Sequence, residues 1–346
     1  MKVIYFGSYK ESYPRNKIII DGLRENGVTV IECNDNSSSI FLKFFRLAVK
    51  FYKIRSDYDF MIVAFPGQEV MFLAKLISRK PVVFDVFTSH YMGYILDRKY
   101  FSENSWRAKY YRFLDTWSCR LADIIFLDTQ AHIDYFVKEF NLPAGKFRRI
   151  WLGANPDLHH PRIKQNQGMF SALFWGNFIP LQGVEHIIRA AKILENEPII
   201  FNLSGRGQTY ESNKKLAEEL NLKNVNFLGK TTDEELVQYI QETDICLGTY
   251  SDGVKADITI QNKIFESLAS KRTIITEKTS SIQELLNDGQ GVLWCNKADP
   301  KDLAEKILIL KNNKELNDKI AEEGYKLFLE KLTPYKIGQD FVKILA

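Results

Sequence analysis

Three segments in the second half of the chain carry residues able to handle a phosphorylated ligand. Gly205-Arg206-Gly207 stands between the apolar run Ile199–Leu203 and a helical stretch starting near Tyr210. Glycines let backbone N–H groups approach a phosphate, a helix N-terminus adds positive dipole, and Arg206 adds a charged clamp. The same spelling serves a plain strand-to-helix turn. A dinucleotide fingerprint needs a third glycine where Tyr210 stands, and Gly7 lacks such a frame too, which counts against a dehydrogenase. The second segment is Gln261–Ala269. Its apolar face, Ile264, Phe265, Leu268 and Ala269, predicts a helix with Glu266 in the first turn. A carboxylate accepts two hydrogen bonds, which suits a vicinal diol such as ribose, and Lys263 one turn earlier suits a pyrophosphate. The alternative is a surface lysine beside a glutamate that complements the helix dipole. The third segment, Tyr250–Ala256, follows the run Ile245–Leu247. There Gly253 allows unusual backbone angles, Val254 and Ala256 extend the loop, and Lys255 offers a cation; a solvated loop has the same composition.

In the first half, Asp85 and His90 follow the run Val82–Phe84, with Asp97-Arg98 close behind. Asp85 suits orientation or deprotonation of a hydroxyl, and His90 is the best general base by residue type, although a lone histidine is often structural. Asp57-Tyr58-Asp59 has the DxD spelling of metal-dependent sugar transferases but precedes a strand, so it reads as a turn. Cys33, Cys119, Cys246 and Cys295 form no CxxC pair and no metal-ligand spacing. No metal site is expected, and no nucleophile-elbow pattern is present.

These segments need strands and helices to hold them. In the first half, apolar runs at Val3–Phe6, Val28–Glu32, Phe60–Phe65, Val82–Phe84 and Ile124–Leu127 alternate with helical patterns. The second half restarts the pattern with Ala172–Trp175, Ile199–Leu203, Val225–Leu228, Ile245–Leu247, Thr273–Ile275 and Val292–Trp294. Continuous rather than alternating runs mark strands buried on both faces of a parallel α/β sheet. The chain of 346 residues fits two domains. The Pro-, Gly- and His-rich stretch LGANPDLHHPRIKQNQG between them predicts a boundary near residue 165. The expected fold class is α/β, with two Rossmann-like doubly wound domains, 1–165 and 166–332, facing a central cleft. One nucleotide-binding domain beside an unrelated α/β domain is the alternative.

A net charge of +4 is too mild to argue for nucleic acid, but it permits an anionic substrate or membrane surface. The amino terminus reads as a first strand and no apolar run reaches 18 residues, so a cytoplasmic protein is expected. Residues 38–55 are distinctive. Lys43, Arg46, Lys50 and Lys53 share one helical face, with Phe41, Phe44, Phe45, Ala48, Phe51 and Tyr52 in an apolar sector beside it. That pairing suits a helix lying on an anionic membrane, peripheral on its inner face. Packing against a sheet would also require an apolar sector.

FWGNFIPLQGVEHIIRAAKIL, LSGRG, NVNFLGK and QNKIFESLASKRTIIT occur in the order of the motifs of retaining glycosyltransferase family 4, which has the GT-B fold. The chain resembles that family over nearly its whole length. YPRNKIIIDGLRENGVTVIEC, VFDVFTSHYMGYILDR and LDTQAHIDYF resemble a bacterial subgroup that makes cell-surface polysaccharide. The resemblance implies transfer of a hexose, with retention, from a UDP- or GDP-sugar to a saccharide or lipid-linked acceptor, with no further cofactor. It implies that Glu266 holds the donor ribose, that Gly205 and Gly207 lie near the nucleotide, and that Gly253–Ala256 faces the donor sugar and phosphates. It also implies that the tail, 333–346, packs back on the first domain. The chain departs from the family at Ile258, where a first glutamate is expected, and at Asn177 and Gln182, where a cationic pair is expected. Arg206, Lys255 and Lys263 remain to meet the leaving group's charge, Lys255 foremost. The departures keep two other readings open: a non-catalytic subunit that binds sugar nucleotides, and a sugar-nucleotide epimerase.

Overall fold

The structure is a computed structural model that describes residues 1–165 and 168–346. Asn166 and Gln167, where the second domain was expected to begin, lie outside the described residues. The chain divides into two compact units, Met1–Gly153 with Leu332–Ala346, and Ala154–Lys331.

The first unit alternates strands and helices: β1 (Lys2–Gly7), α1 (Pro14–Glu25), β2 (Thr29–Asn34), α2 (Ile40–Ile54), β3 (Phe60–Val63), α3 (Met71–Ile77), β4 (Val82–Asp85), α4 (Trp106–Leu121), β5 (Ile124–Leu127), α5 (Gln130–Phe140) and β6 (Phe147–Arg149). The strands form one parallel sheet in the order β2-β1-β3-β4-β5-β6. The five expected runs are all strands. β6 escaped notice because only Phe147 of its three residues is buried, so it leaves no apolar run.

Alternate residues of a strand face opposite sides of the sheet. Ile4, Phe6, Met61, Val63, Val82 and Phe84 share one core with the inner faces of α2, α3, α4 and α5. The opposite parity, including Phe126, faces the chain's last helix.

The second unit holds β7 (Phe170–Trp175), α6 (Val184–Ile193), β8 (Ile199–Ser204), α7 (Tyr210–Glu219), β9 (Val225–Gly229), α8 (Asp233–Glu242), β10 (Ile245–Leu247), α9 (Val254–Ile258), α10 (Asn262–Ala269), β11 (Ile274–Glu277), β12 (Val292–Cys295), α11 (Pro300–Asn312) and α12 (Lys314–Lys331). Its parallel sheet runs β12-β11-β10-β7-β8-β9. All six expected runs are strands, and the two sheets establish an α/β fold of two Rossmann-like units. The second unit starts before the expected boundary near 165. His159 is buried within it, and the Arg272 guanidinium donates to the Arg162 carbonyl at 2.9 Å.

The last helix, α13 (Pro334–Leu345), belongs to the first unit. Its Phe341 ring lies 4.3 Å from that of Phe126. It crosses α1 at two glycines: a Cβ on Gly338 would sit 2.0 Å from the Gly22 carbonyl oxygen, and one on Gly22 would sit 2.2 Å from the Pro334 oxygen. Neither backbone can yield without moving its helix. Gly338→Ala should therefore destabilise the first unit by about 1–3 kcal/mol, as overpacking does. Thermal unfolding of the purified variant measures this; an unchanged melting temperature would show that the helices separate freely.

Candidate functional site

In a doubly wound sheet, ligands bind beyond the carboxyl ends of the strands, where the strand order reverses. In the second unit that point lies between β7 and β10, which are neighbours although β7 leads on to β8. Gly176 leaves β7 with φ 137°, and Gly248 leaves β10.

Lys263 fills the gap between them. Its ammonium donates to Gln182 Oε1 at 2.6 Å and to the Gly248 carbonyl at 3.2 Å, and lies 3.8 Å from the centre of the Phe174 ring. A Cβ on Gly176 would be 3.9 Å from it. Lys263 is not the surface lysine that sequence allowed. Burial pushes its pKa well below the ordinary lysine value, and Glu266 opposes that shift. Gln182, one of the residues at the departed cationic pair, is the acceptor that orients it.

Glu266 is the fifth residue of α10 and lies beyond the first turn where the apolar pattern had put it. Its Oε2 accepts from Trp175 Nε1 at 2.7 Å, which ties the carboxylate to the end of β7. A buried indole N–H needs such a partner. His159, also unforeseen, is buried near enough for the Glu266 charge to act on it; burial lowers its pKa.

The glycine pair has a packing role. A Cβ on Gly205 would lie 1.9 Å from the Gly176 oxygen, and one on Gly207 would lie 2.4 Å from the Phe178 oxygen. The two loops are stitched by Phe178 N–H to the Arg206 carbonyl at 3.0 Å and Thr209 N–H to the Phe178 carbonyl at 2.9 Å. Arg206 stands exposed at the end of β8, stacked 4.0 Å over Tyr210 and 3.7 Å from Glu211. After β10, Gly253 has φ −69°, so it does not use the left-handed freedom expected of it. It opens α9, which carries exposed Val254, half-buried Lys255, and Ala256 packed inward on Ile179 and Leu181. Ile258, at the end of α9, is buried.

Glu277 ends β11 and had no sequence signal. Its N–H donates to the Thr249 carbonyl at 3.2 Å, and its buried carboxyl titrates near 8, chiefly because burial disfavours the charge. A groove of about 810 Å³ opens at the amino ends of these strands, beside Phe170, Thr243 and Thr273. Its lysines are paired, Lys164 to Asp244 at 2.6 Å for example, and its Arg272 donates to backbone carbonyls, so it lacks the features of the strand-end site.

In the first unit Asp85 is corrected. It is fully buried and takes both oxygens to Arg15, with Nε at 3.0 and 3.1 Å and Nη2 at 2.7 Å. Arg15 Nη1 also donates to the Ile150 and Trp151 carbonyls at 3.1 and 3.3 Å. A carboxylate so engaged holds the start of α1 to β4 and has no free face for a hydroxyl. His90 is more open. Its backbone N–H donates to buried Asp115 at 3.1 Å, as does Ser89 Oγ at 2.6 Å. Its ring stacks 6.0 Å from Tyr111, and burial lowers its pKa to about 4. The imidazole is therefore neutral at physiological pH, and in this environment a weaker base than an exposed histidine. Asp57-Tyr58-Asp59 lies before β3, with Asp59 accepting from the Lys2 N–H at 2.8 Å. Among the described residues no cluster of three or more His, Cys, Asp or Glu is placed to hold a metal.

Residues 157–327 match the family described as Glycosyl transferases group 1. The chain is 28% identical over 177 residues to "Uncharacterized glycosyltransferase MJ1178" of Methanocaldococcus jannaschii, covering 51% of this chain and 46% of that protein. It is 30% identical over 137 residues to "Probable glycosyltransferase WbjE" of Pseudomonas aeruginosa, covering 39% and 34%. It spans less than half the length of these relatives. The fold is similar to that of Anabaena Alr3699/HepE, solved with UDP and glucose, at TM-score 0.74 and 16% identity over 100% of this chain and 99% of that one. It is also similar to the sucrose-phosphate synthase of Thermosynechococcus elongatus, at TM-score 0.74 and 13% identity over 99% and 98%.

If Asp85 serves the fold, Asp85→Asn should cost about 3–5 kcal/mol, since it strands Arg15 as a buried, uncompensated charge. Chemical denaturation measures the loss. An unchanged unfolding midpoint would return Asp85 to the list of groups free to act on a substrate.

Proposed function

From the premise that residues 157–327 form a group 1 glycosyltransferase domain, we propose that this chain transfers a sugar from a nucleotide-sugar donor, UDP- or GDP-linked, to a saccharide or lipid-linked acceptor, with retention, in cell-surface glycan synthesis. The observation that carries the reading is the pairing of Glu266 and Lys263 on one helix, at the point where the strand order of the second unit reverses. A carboxylate fixed by Trp175 is set to accept both hydroxyls of a ribose. HepE is described in complex with UDP and with UDP-glucose, and that description supports a UDP donor here.

In this proposal the leaving diphosphate develops charge that Lys255, Arg206 and Lys263 meet, helped by backbone N–H groups of the glycine loops. Lys263 is already held by Gln182, so it acts from beneath the loops while Lys255 and Arg206 approach from the open side. The sugar centre becomes oxocarbenium-like, as in glycoside chemistry generally. His90, neutral and in the first unit, is the proposed acceptor-side base, and the first unit receives the acceptor. A lipid-linked acceptor fits an anionic membrane surface met by residues 38–55. Among the described residues no helix is long and apolar enough to cross a membrane.

Glu266→Gln should weaken donor binding or turnover about 10- to 100-fold, the worth of a charge-assisted hydrogen bond of roughly 1.5–3 kcal/mol. Calorimetry with UDP- and GDP-sugars, followed by turnover assays, measures it; equal affinity and rate would remove Glu266 from the ribose. The same assay tests the source of positive charge. Activity should survive EDTA, because protein cations supply the counter-charge, and a loss restored by manganese or magnesium would assign that task to a metal.

A further inference from the structure

The exposed faces of α2, α3 and α4 bear the strongest unexplained pattern in the first unit. Each of these helices has an inner apolar stripe against the sheet and a second apolar stripe in solvent. On α2 the inner stripe is Phe44, Leu47, Phe51 and Ile54. The outer stripe is Phe41, Phe45, Val49 and Tyr52, with Phe41 86% and Phe45 68% exposed. The apolar sector foreseen for residues 38–55 is thus two sectors, and sheet packing accounts for only one of them. On α3, Met71 and Ala74 face inward while Phe72 and Leu76 face out, Leu76 at 82%. On α4, Ala108, Leu114 and Cys119 are buried, while Trp106, Tyr110, Phe113 and Trp117 recur along the outer face at steps of three and four residues, Trp106 at 70%.

The three helices adjoin. α3 packs beside both α2 and α4. Glu69, just before α3, lies 3.9 Å from Lys43 of α2 and close enough to raise the pKa of Tyr110 on α4, after the larger effect of burial. The outer stripes therefore form one surface.

Its charge is one-sided. α2 carries four basic residues, α3 one and α4 four, against one acid within the helices, Asp115, which is buried; Lys43, Lys50, Lys75 and Arg112 are paired with the flanking acids Glu69, Asp35, Asp123 and Glu139, and the other five basic residues leave the face net positive. Arg46, Lys53 and Lys109 make no ion pair among the described residues. Arg107 and Arg120 lie over the rings of Trp106 and Trp117, at 5.4 and 5.9 Å. Exposed apolar patches mark interaction sites. Tryptophan and tyrosine favour a surface that is apolar on one side and wet on the other, and lysine and arginine reach phosphate headgroups from such a position.

We propose that the joint outer face of α2, α3 and α4 is a docking surface for an anionic lipid bilayer, with Phe41, Phe45, Leu76, Trp106, Phe113 and Trp117 entering the headgroup layer. The proposal rests on the membrane reading of residues 38–55 and extends it to a broad, three-helix face. Docking at three helices fixes the orientation of the first unit on the bilayer, which a single amphipathic helix would leave free to roll. A lipid-linked acceptor would then reach the protein by lateral diffusion.

The test uses the full chain and vesicles of phosphatidylcholine with and without phosphatidylglycerol. Flotation should recover the protein with the anionic vesicles only, and salt should release it. Phe41→Ser with Phe45→Ser, and separately Trp106→Ser with Trp117→Ser, should each lower partitioning by on the order of tenfold while far-UV circular dichroism stays unchanged. Brominated lipid should quench the wild-type tryptophan emission, and the double tryptophan variant should lose most of that quenching, since Trp151 and Trp175 are buried and Trp294, half-buried, lies on β12 of the second unit. If only the phenylalanine pair matters, α2 anchors alone: the three-helix face is overturned and the narrower reading survives. No vesicle binding at low salt overturns both. So does a dimer that either pair of substitutions converts to monomer without any vesicle binding, because a second copy then covers the face. Donor affinity, measured on the same variants, tests the reading of the second unit separately.

Discussion

Two parallel strands cannot be joined by a tight turn. Each connection must travel the length of the sheet and return, and the helix that makes the journey covers one face of it. Both units of this chain obey that constraint, and most of their chemistry follows from it. Because every strand points the same way, every strand ends at the same edge, and Gly176, Gly205, Gly248 and Glu277 gather there although they lie far apart in sequence. Because the strand order reverses between β7 and β10, the loops after them part, and Lys263 occupies the space between.

The same constraint sorts the helices of the first unit. α1 lies with α13 on one face, and α2 to α5 lie on the other. The first face is closed by helix–helix packing close enough to require glycine on both sides, and it is pinned to β4 by the Arg15–Asp85 pair. The second face is covered by a single layer of helices whose outer stripes have no partner among the described residues. One sheet thus carries a face closed by packing against α13 and another whose covering helices leave apolar side chains in solvent.

Several polar groups near the strand ends are held in states that their residue types do not suggest. Glu277 keeps its proton near neutrality because burial makes the charge costly. His90 gives up its proton for the same reason. Lys263 retains close acceptors, Gln182 and the Gly248 carbonyl, while burial acts against its charge. Environment, more than residue type, sets what each group can do.

The strands were legible in the sequence because burial on both faces of a parallel sheet demands unbroken apolar runs, and eleven such runs became β1 to β5 and β7 to β12. The edge strand β6 was not, since an edge strand needs no such run. The segments around Gly205, Lys255 and Glu266 were legible because glycines and charges beside apolar runs stand out. What each side chain touches was not. Asp85 looked like a base until α1 brought Arg15 to it from 70 positions away. Lys263 looked like a surface cation until Gln182, 81 positions distant, accepted its hydrogen bond. On α2 the spacing revealed an apolar sector but could not separate Phe44 and Phe51, which meet the sheet, from Phe41 and Phe45, which meet solvent. Sequence periodicity fixes the angle of each side chain around its own helix axis. Only the packed neighbours decide which of those angles faces protein.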